Sequence, residues 1–434
     1  MSDLLSGWGR NQVLKCNLKK PKNLDQLKNI TKGKLIARGL GRSYGDSSLQ
    51  KNCTVITSKL NKILYFDKTK GIIETESGIS IKEILQHIIP CGWFLKVTPG
   101  SKFITVGGMV ASDVHGKNHH KFGSFRHQII ELKVLNENNK ILTCNKKKNK
   151  DLFNYTIGGM GLTGIVYSCR FKLLKIKSNL MYQQKIKNKN IHETIKSLKG
   201  SSKWTYNVAW IDTSARGKNI GRSILFRAEH SKEKNLKKLD STFLKNKRIN
   251  FKNIFPNWII NSFVINIMNK IYFYLSFNKK SLIDINEYFY QLDKINNWNL
   301  IYGSKGFISY QFVIPFRNST NTILKILHLL NKKKIYSFVS VIKILGKKDG
   351  FLSFGIKGFT LVFDFPISKN IYKTLEKIDD IIIKSKGNIY LCKDSRISVN
   401  KFSKMKSSFN SFKFLKLRKQ MSRFSSKQSE RLKI

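Results

Sequence analysis

The chain has 434 residues and carries 81 Lys+Arg against 26 Asp+Glu, a formal charge of +55. That length allows two or three domains, and a hydrophobic fraction of 41% with 12% aromatic excludes a disordered polycation, because so much apolar surface collapses. Only 14 of the basic residues are Arg, the side chain whose planar fork nucleic-acid readers favour, so the charge reads first as lysine spread over a surface.

In chain order, KLIAR (34–38) and GIIETES (71–77) read as strands. SIKEILQHII (80–89) reads as a helix capped by Ser80, with Glu83 completing a capping box and Pro90 ending it. From 165 to 173, Ile165, Tyr167, Cys169, Phe171 and Leu173 alternate with Ser168, Arg170 and Lys172, the pattern of a half-buried strand. These glycine-rich residues form one α+β domain, 1–178. Between 179 and 387 the elements lengthen and glycine thins. WTYNVAWID (204–212), GFISYQFVIP (306–315), SFVSVIKIL (337–345) and FTLVFDFPI (359–367) read as strands of an antiparallel sheet flanked by helices, a second domain. Residues 388–434 return to a strand and then a basic helical tail. The most apolar stretch, 255–277, is broken by Asn257, Asn261, Asn266, Asn269 and Lys270, which excludes a membrane span. Helices packed on their own domain are the preferred reading of it, and a helix lying at a membrane surface the other.

The six cysteines are scattered without a CxxC pair, and the start shows no signal-peptide pattern, so a cytoplasmic enzyme with reduced thiols is expected. Chemistry concentrates in glycine segments. ARGLGRSYGDSS (37–48) follows a strand and lets backbone N–H groups approach a phosphate, although its spacing is neither a Rossmann fingerprint nor a P-loop. TPGSKFITVGGMVASDVHGKNHH (98–120) and YTIGGMGLTGIV (155–166) add two more such loops. Three in one domain point to a large phosphate-bearing cofactor held by backbone. His115 and His119 have i, i+4 spacing, but Gly116 disfavours the helix and no HExxH glutamate stands between them, so no metal site is expected. Gln311, Lys343, Asp364 and Lys393 interrupt apolar strands; each sits either on a solvent face or in a site with an anionic partner.

Together ARGLGRSYGD, TPGS…TVGG…SDVHGKNHHKFGSF and GGMGLTGI resemble the PCMH-type FAD-binding domain of the vanillyl-alcohol-oxidase superfamily. SGWGR (6–10), AWID (209–212), YQFVIP (310–315), SFVSVIK (337–343), FDFPI (363–367) and YLCKDSR (390–396) narrow it to the decaprenylphosphoryl-β-D-ribose 2′-oxidase family. The resemblance implies that Ala37, Arg38, Gly39, Leu40, Gly41, Arg42, Ser43, Tyr44, Gly45, Asp46 and Ser47 wrap the FAD pyrophosphate. It puts Gly100, Thr105, Val106, Gly107 and Gly108 along the cofactor's path, and Ser112, Asp113, Val114, His115, Ile165 and Tyr390 beside the flavin. Arg42 stands where other superfamily members carry a flavin-tethering histidine, so FAD is expected to be non-covalent. Lys393, His115, Lys343, Gln311 and Tyr44 are implied as catalytic, and Trp210, Thr360 and Val362 as substrate-binding. Val362 replaces a cysteine and Thr360 an asparagine of mycobacterial members.

The implied reaction moves hydride from a sugar carbinol carbon, that of a lipid-phosphate-linked pentose, to flavin N5 and gives a ketone. It is the first half of an epimerisation that a short-chain reductase partner completes, with quinone or oxygen as acceptor and peripheral contact at the inner face of the cytoplasmic membrane. The alternatives are an aldonolactone oxidase acting on a soluble sugar, against which the HWAK-type signature is missing, and a basic nucleic-acid or membrane-surface binding protein.

Overall fold

The computed structural model describes residues 2–30, 33–232, 249–251, 254–346 and 350–434. Local signals explain several elements directly. Ser80 Oγ accepts from Glu83 N, and Glu83 returns a carboxylate oxygen to Ser80 N at 2.8 Å, so the helix Ile81–Ile88 starts on a closed capping box. Its Ile81, Ile84, Leu85 and Ile88 lie on one buried stripe. Pro90 and a left-handed Gly92 then turn the chain into the strand Trp93–Leu95.

The described residues of the first domain form two sheets. A small one runs Ser2–Ser6, Val13–Lys19, Thr54–Ile56, Ile36–Arg38, with parallel pairing on both sides of Thr54–Ile56. A second is antiparallel around the long strand Ile165–Lys175, flanked by Ile72–Glu76 and Ile129–Leu135. The register of that long strand shifts between Val166 and Ser168. The shift breaks the simple alternation read from sequence: Ser168 is buried and bonds Glu74, while Tyr167 is half-buried and reaches Glu76.

The larger sheet runs Lys279–Asp284, Leu180–Asn188, Ser223–His230, Tyr206–Ile211, Ser340–Leu345, Gly358–Pro366, Phe307–Pro315, Asn388–Ile389, antiparallel throughout. Helices Ile191–Gly200, Ser319–Lys332 and Ile371–Lys384 pack on one face, burying Ile308, Tyr310, Phe312, Leu361 and Phe363 with Ile323, Leu327, Leu375 and Ile378. Because successive strand residues point to opposite faces, Gln311, Lys343, Thr360, Val362 and Asp364 point the other way. That other face is covered by the first domain, so these positions are not on a solvent face. Gln311, Thr360, Val362 and Asp364 are buried and Lys343 is half-buried.

The C-terminal segment closes the assembly. Leu35 N donates to Arg423 O and Ser425 N to Leu35 O. Arg431 forks onto Asp46 at 2.9 and 3.0 Å and reaches Asp394 at 2.8 Å, tying the first glycine loop to the KDSR segment. Both carboxylates are almost fully buried. Arg431→Ala should therefore cost about 3 kcal/mol, because it strands two buried charges; urea unfolding of the variant checks this, and Arg431→Lys should recover part of the loss.

Candidate active site

Between the sheet's inner face and the first domain lies a cavity. Register brings its polar wall together: Gln311 lies opposite Val362, Lys343 opposite Thr360, and Ser309 opposite Asp364 on neighbouring strands. From the edge strand Asn388–Ile389 the chain turns so that Tyr390 N donates to Gln311 O, and the short helix Leu391–Lys393 delivers Lys393. His115 and Lys117 enter from the opposite, first-domain side.

Gln311 Nε2 lies 2.8 Å from His115 Nε2 and 3.1 Å from Thr360 Oγ1. Thr360 spends its one hydroxyl proton on Phe312 O at 2.9 Å, so toward Gln311 it can only accept. The Gln311 amide nitrogen is thereby oriented, and it donates to His115 Nε2. The neutral ring then carries its proton on Nδ1. Tyr390 and Phe354 pack on the imidazole at 5.0 and 5.4 Å between ring centroids, and Tyr390 Oη donates to Ser112 O at 3.1 Å.

Among the described residues three amines face the cavity. Lys393 Nζ lies 4.6 Å from the centre of the Tyr44 ring. Burial lowers its pKa, and the nearby Asp364 charge pulls in the opposite direction. Burial and then the Lys393 charge bring Lys343 down to about 7. Burial and then the Lys343 charge bring Lys117, which donates to Tyr288 O, also to about 7. Asp364 Oδ1 accepts from Ser309 at 2.5 Å, whereas its Oδ2 is buried without a hydrogen-bond partner. Burial raises Tyr44 well above the usual phenol range, so it remains a donor. Arg42 sits over the Trp8 ring at 3.8 Å, at the junction with a second cleft.

That cleft shares Arg42, Ile104, Val114 and Cys392 with the cavity. Its walls combine glycines and small polar residues with apolar side chains such as Leu40, Ile104 and Met160. Side chains at Gly39 and Gly107 would run into Thr105 and Ser77, and Gly41 is left-handed. Ser77 Oγ is buried and has no partner.

The FAD binding domain family matches residues 21–145. Decaprenylphosphoryl-β-D-ribose oxidase of Mycolicibacterium smegmatis is 30% identical over 385 residues, 86% of this chain and 83% of that protein. The chain belongs to the decaprenylphosphoryl-β-D-ribose oxidase family. Shorter similarities reach D-lactate dehydrogenase of Anaerostipes hadrus, 28% identical over 30% of this chain and 28% of that one, and mouse L-gulonolactone oxidase, 25% identical over 30% and 29%. The lactone-oxidase likeness thus leaves most of the chain unmatched, and that alternative fits less well.

As a member of this oxidase family, the protein is an FAD-dependent oxidoreductase. The cleft fits the cofactor: glycine backbone lies open where side chains would obstruct, and the orphaned Ser77 hydroxyl is a ready hydrogen-bonding group. Ala37, Gly39, Leu40, Gly41, Arg42, Ser43, Ser47, Thr105, Gly107, Gly108, Ser112 and Val114 line it. Other positions named from sequence take supporting places. The Arg38 guanidinium bonds Ser48 Oγ and Ser6 O. Gly45 packs under Asp394 O, Asp46 pairs with Arg431, and Asp113 accepts from Arg126 N and Ser353. Val106 and Ile165 belong to the core, while their neighbours Thr105, Gly107, Gly164 and Val166 reach the cleft.

Lys393, His115, Lys343, Gln311, Tyr44, Val362, Tyr390 and Gly100 line the larger cavity. Thr360 stands behind Gln311. Trp210 does not line it: its indole donates to Phe338 O at 2.9 Å and packs edge-on to Tyr272, leaving Val208 at the wall. Sequence reasoning missed Lys117, which lies inside HGKNHH, and also Trp8, Trp298, Asp293 and Ser77. His119 Nδ1 accepts from Gly346 N and His120 Nε2 lies 2.8 Å from Trp204 O. Among the described residues no group of three or more His, Cys, Asp or Glu is placed to hold a metal ion.

Proposed function

We propose that the protein oxidises a secondary hydroxyl of a lipid-linked phosphopentose, decaprenylphosphoryl-ribose or a close analogue, to the C2′ ketone. The observation that carries this reading is the convergence of Lys117, Lys343 and Lys393 on one cavity that opens into the FAD cleft. An uncharged lactone offers such a cluster no counter-charge, whereas a phosphate offsets the repulsion among three half-buried amines.

FAD, when bound, supplies the acceptor for the hydride leaving the carbinol carbon. The chain supplies the rest. Lys343 and Lys117 hold the phosphate as cations. Lys393, its pKa lowered by burial, takes the hydroxyl proton at Nζ, and the Asp364 charge limits that lowering. His115, fixed by Gln311, orients the sugar. Tyr44 keeps its proton as a donor, and the aromatic wall of Trp8, Trp298 and Tyr390 excludes water. FAD sits without a covalent tether, since Arg42 offers no nucleophile at the loop position. The ketone is the substrate class that a short-chain reductase partner reduces, quinone or oxygen takes the electrons, and the inner face of the cytoplasmic membrane is where such a lipid is met.

The pH dependence tests the phosphate assignment. Lys343 and Lys117 lose their protons as pH rises through about 7. Apparent KM for a phosphopentose substrate should therefore rise above that pH, by up to about tenfold per unit for each amine that must be charged, while a dephosphorylated analogue should show a flat KM. Steady-state kinetics between pH 6 and 9 make the comparison, and Lys343→Met should raise KM and flatten the profile. Equal profiles for the two substrates would remove the phosphate from the account.

A further inference from the structure

The helix Ser262–Tyr274 has thirteen residues, about 20 Å of length, and among the described residues no helix is long and apolar enough to cross a membrane. One side of it is firmly seated. Ile265, Asn269 and Phe273 are buried, Asn269 Nδ2 donates to Asp212 Oδ1 at 3.0 Å, and Tyr272 packs on Trp210 and Phe338. The other side is bare. Phe263, Ile267, Ile271, Tyr274 and Leu275 recur at helical spacing, and Phe263, Leu275 and the following Phe277 are each at least 70% exposed.

Three observations say what covers this face. First, charge: Lys270, Lys279 and Lys280 are exposed around the stripe, Lys187 Nζ stands 4.5 Å over the Phe273 ring, and residues 241–283 contain no Asp or Glu. An apolar stripe edged by lysine and free of carboxylates complements an anionic lipid surface. Second, placement: the exposed side chains follow one helix and its C-terminal extension, Phe263 to Phe277, as one continuous strip. Third, continuity: the cluster of Ile260, Ile265, Trp298, Tyr302 and Phe307, with Trp8 and Leu292 against it, supports the helix from below, and Trp8, Leu292 and Trp298 also wall the substrate cavity.

We propose that the exposed face of Ser262–Tyr274, with Leu275 and Phe277, docks the enzyme on an anionic bilayer, from which a lipid-linked substrate reaches the adjoining cavity. The second clause rests on the substrate reading above; the docking itself does not. The test uses flavin-loaded enzyme and flotation with phosphatidylcholine vesicles, with and without phosphatidylglycerol, at low and high salt. Wild type should float with the anionic vesicles and lose binding as salt rises. The Phe263→Ser, Leu275→Asn, Phe277→Ser triple variant should bind at least about tenfold more weakly, with unchanged flavin content, melting temperature and turnover of a short-chain soluble phosphopentose. Wild type that ignores anionic vesicles, or a triple variant that floats equally well, would overturn the proposal. So would a wild-type dimer in solution that the triple variant converts to monomer, since the face would then be an interface between copies. Vesicle binding lost by the variant, together with no flavin reduction by any phosphopentose, would sink the substrate reading and leave the docking intact.

Discussion

Lys393→Met should leave the protein folded and yellow, yet slow substrate-driven flavin reduction by about 10²- to 10⁴-fold. Met fills the volume of the stem and removes the amine, so the cavity wall keeps its shape while the proton acceptor and its contact with the Tyr44 ring are lost. Two companions separate chemistry from packing. Lys393→Arg keeps the charge but cannot take up a proton near neutrality, so it should retain substrate affinity and lose kcat. Asp364→Asn removes the charge that holds the Lys393 pKa up. Its pH–rate profile should therefore keep its height within an order of magnitude and move its acid limb to lower pH. Stopped-flow reduction under anaerobic conditions reads all three; a Lys393→Met rate equal to wild type would end the role given to this residue.

Gly39→Val should give colourless protein. A side chain at Gly39 collides with Thr105, whose Oγ1 accepts from Gly108 N at 3.3 Å and caps the helix Val106–Ala111. Displacing that cap costs about 1 kcal/mol. The larger effect falls on the cofactor, because Gly39, Thr105, Gly107 and Gly108 together line one side of the cleft. Flavin-to-protein absorbance should fall at least about tenfold for the roughly 1.4 kcal/mol or more of binding lost. Gly200→Ala is the control: it ends the helix Ile191–Gly200 with open space around it and should bind flavin as wild type does. Circular dichroism distinguishes a lost cofactor from a lost fold.

The parts of this molecule legible in sequence are those where short-range chemistry decides. Ser80 and Glu83 announce their helix because the capping box closes within four residues. Gln311, Lys343 and Asp364 stand out because polar groups on apolar strands need a reason. What their own strands do not reveal is which face is covered, and only assembly with the first domain turns those positions from solvent to cavity. Lys117 was not legible: one more lysine in a chain this rich in lysine carries no signal until burial singles it out. Trp210 has the right parity for the cavity, yet the Phe338 carbonyl and Tyr272 ring draw its indole aside. Arg38 and Asp46 lie in the glycine loop the sequence points to, but their side chains hold the loop to Ser48 and Arg431. The +55 charge likewise sharpens. Most of it is surface, and the two proposals draw on a small fraction of it, three amines in the cavity and a few lysines beside the exposed helix.

The most direct test of the central claim is a single anaerobic turnover. The purified flavoprotein is mixed with a phosphoribosyl lipid, the flavin spectrum is followed, and the sugar is recovered and analysed. The flavin band should bleach with one equivalent of C2′ ketone per flavin, and a sugar lactone should leave it unbleached. Bleaching by the lactone with the phosphoribosyl lipid inert, or a lipid recovered unoxidised, would contradict that claim.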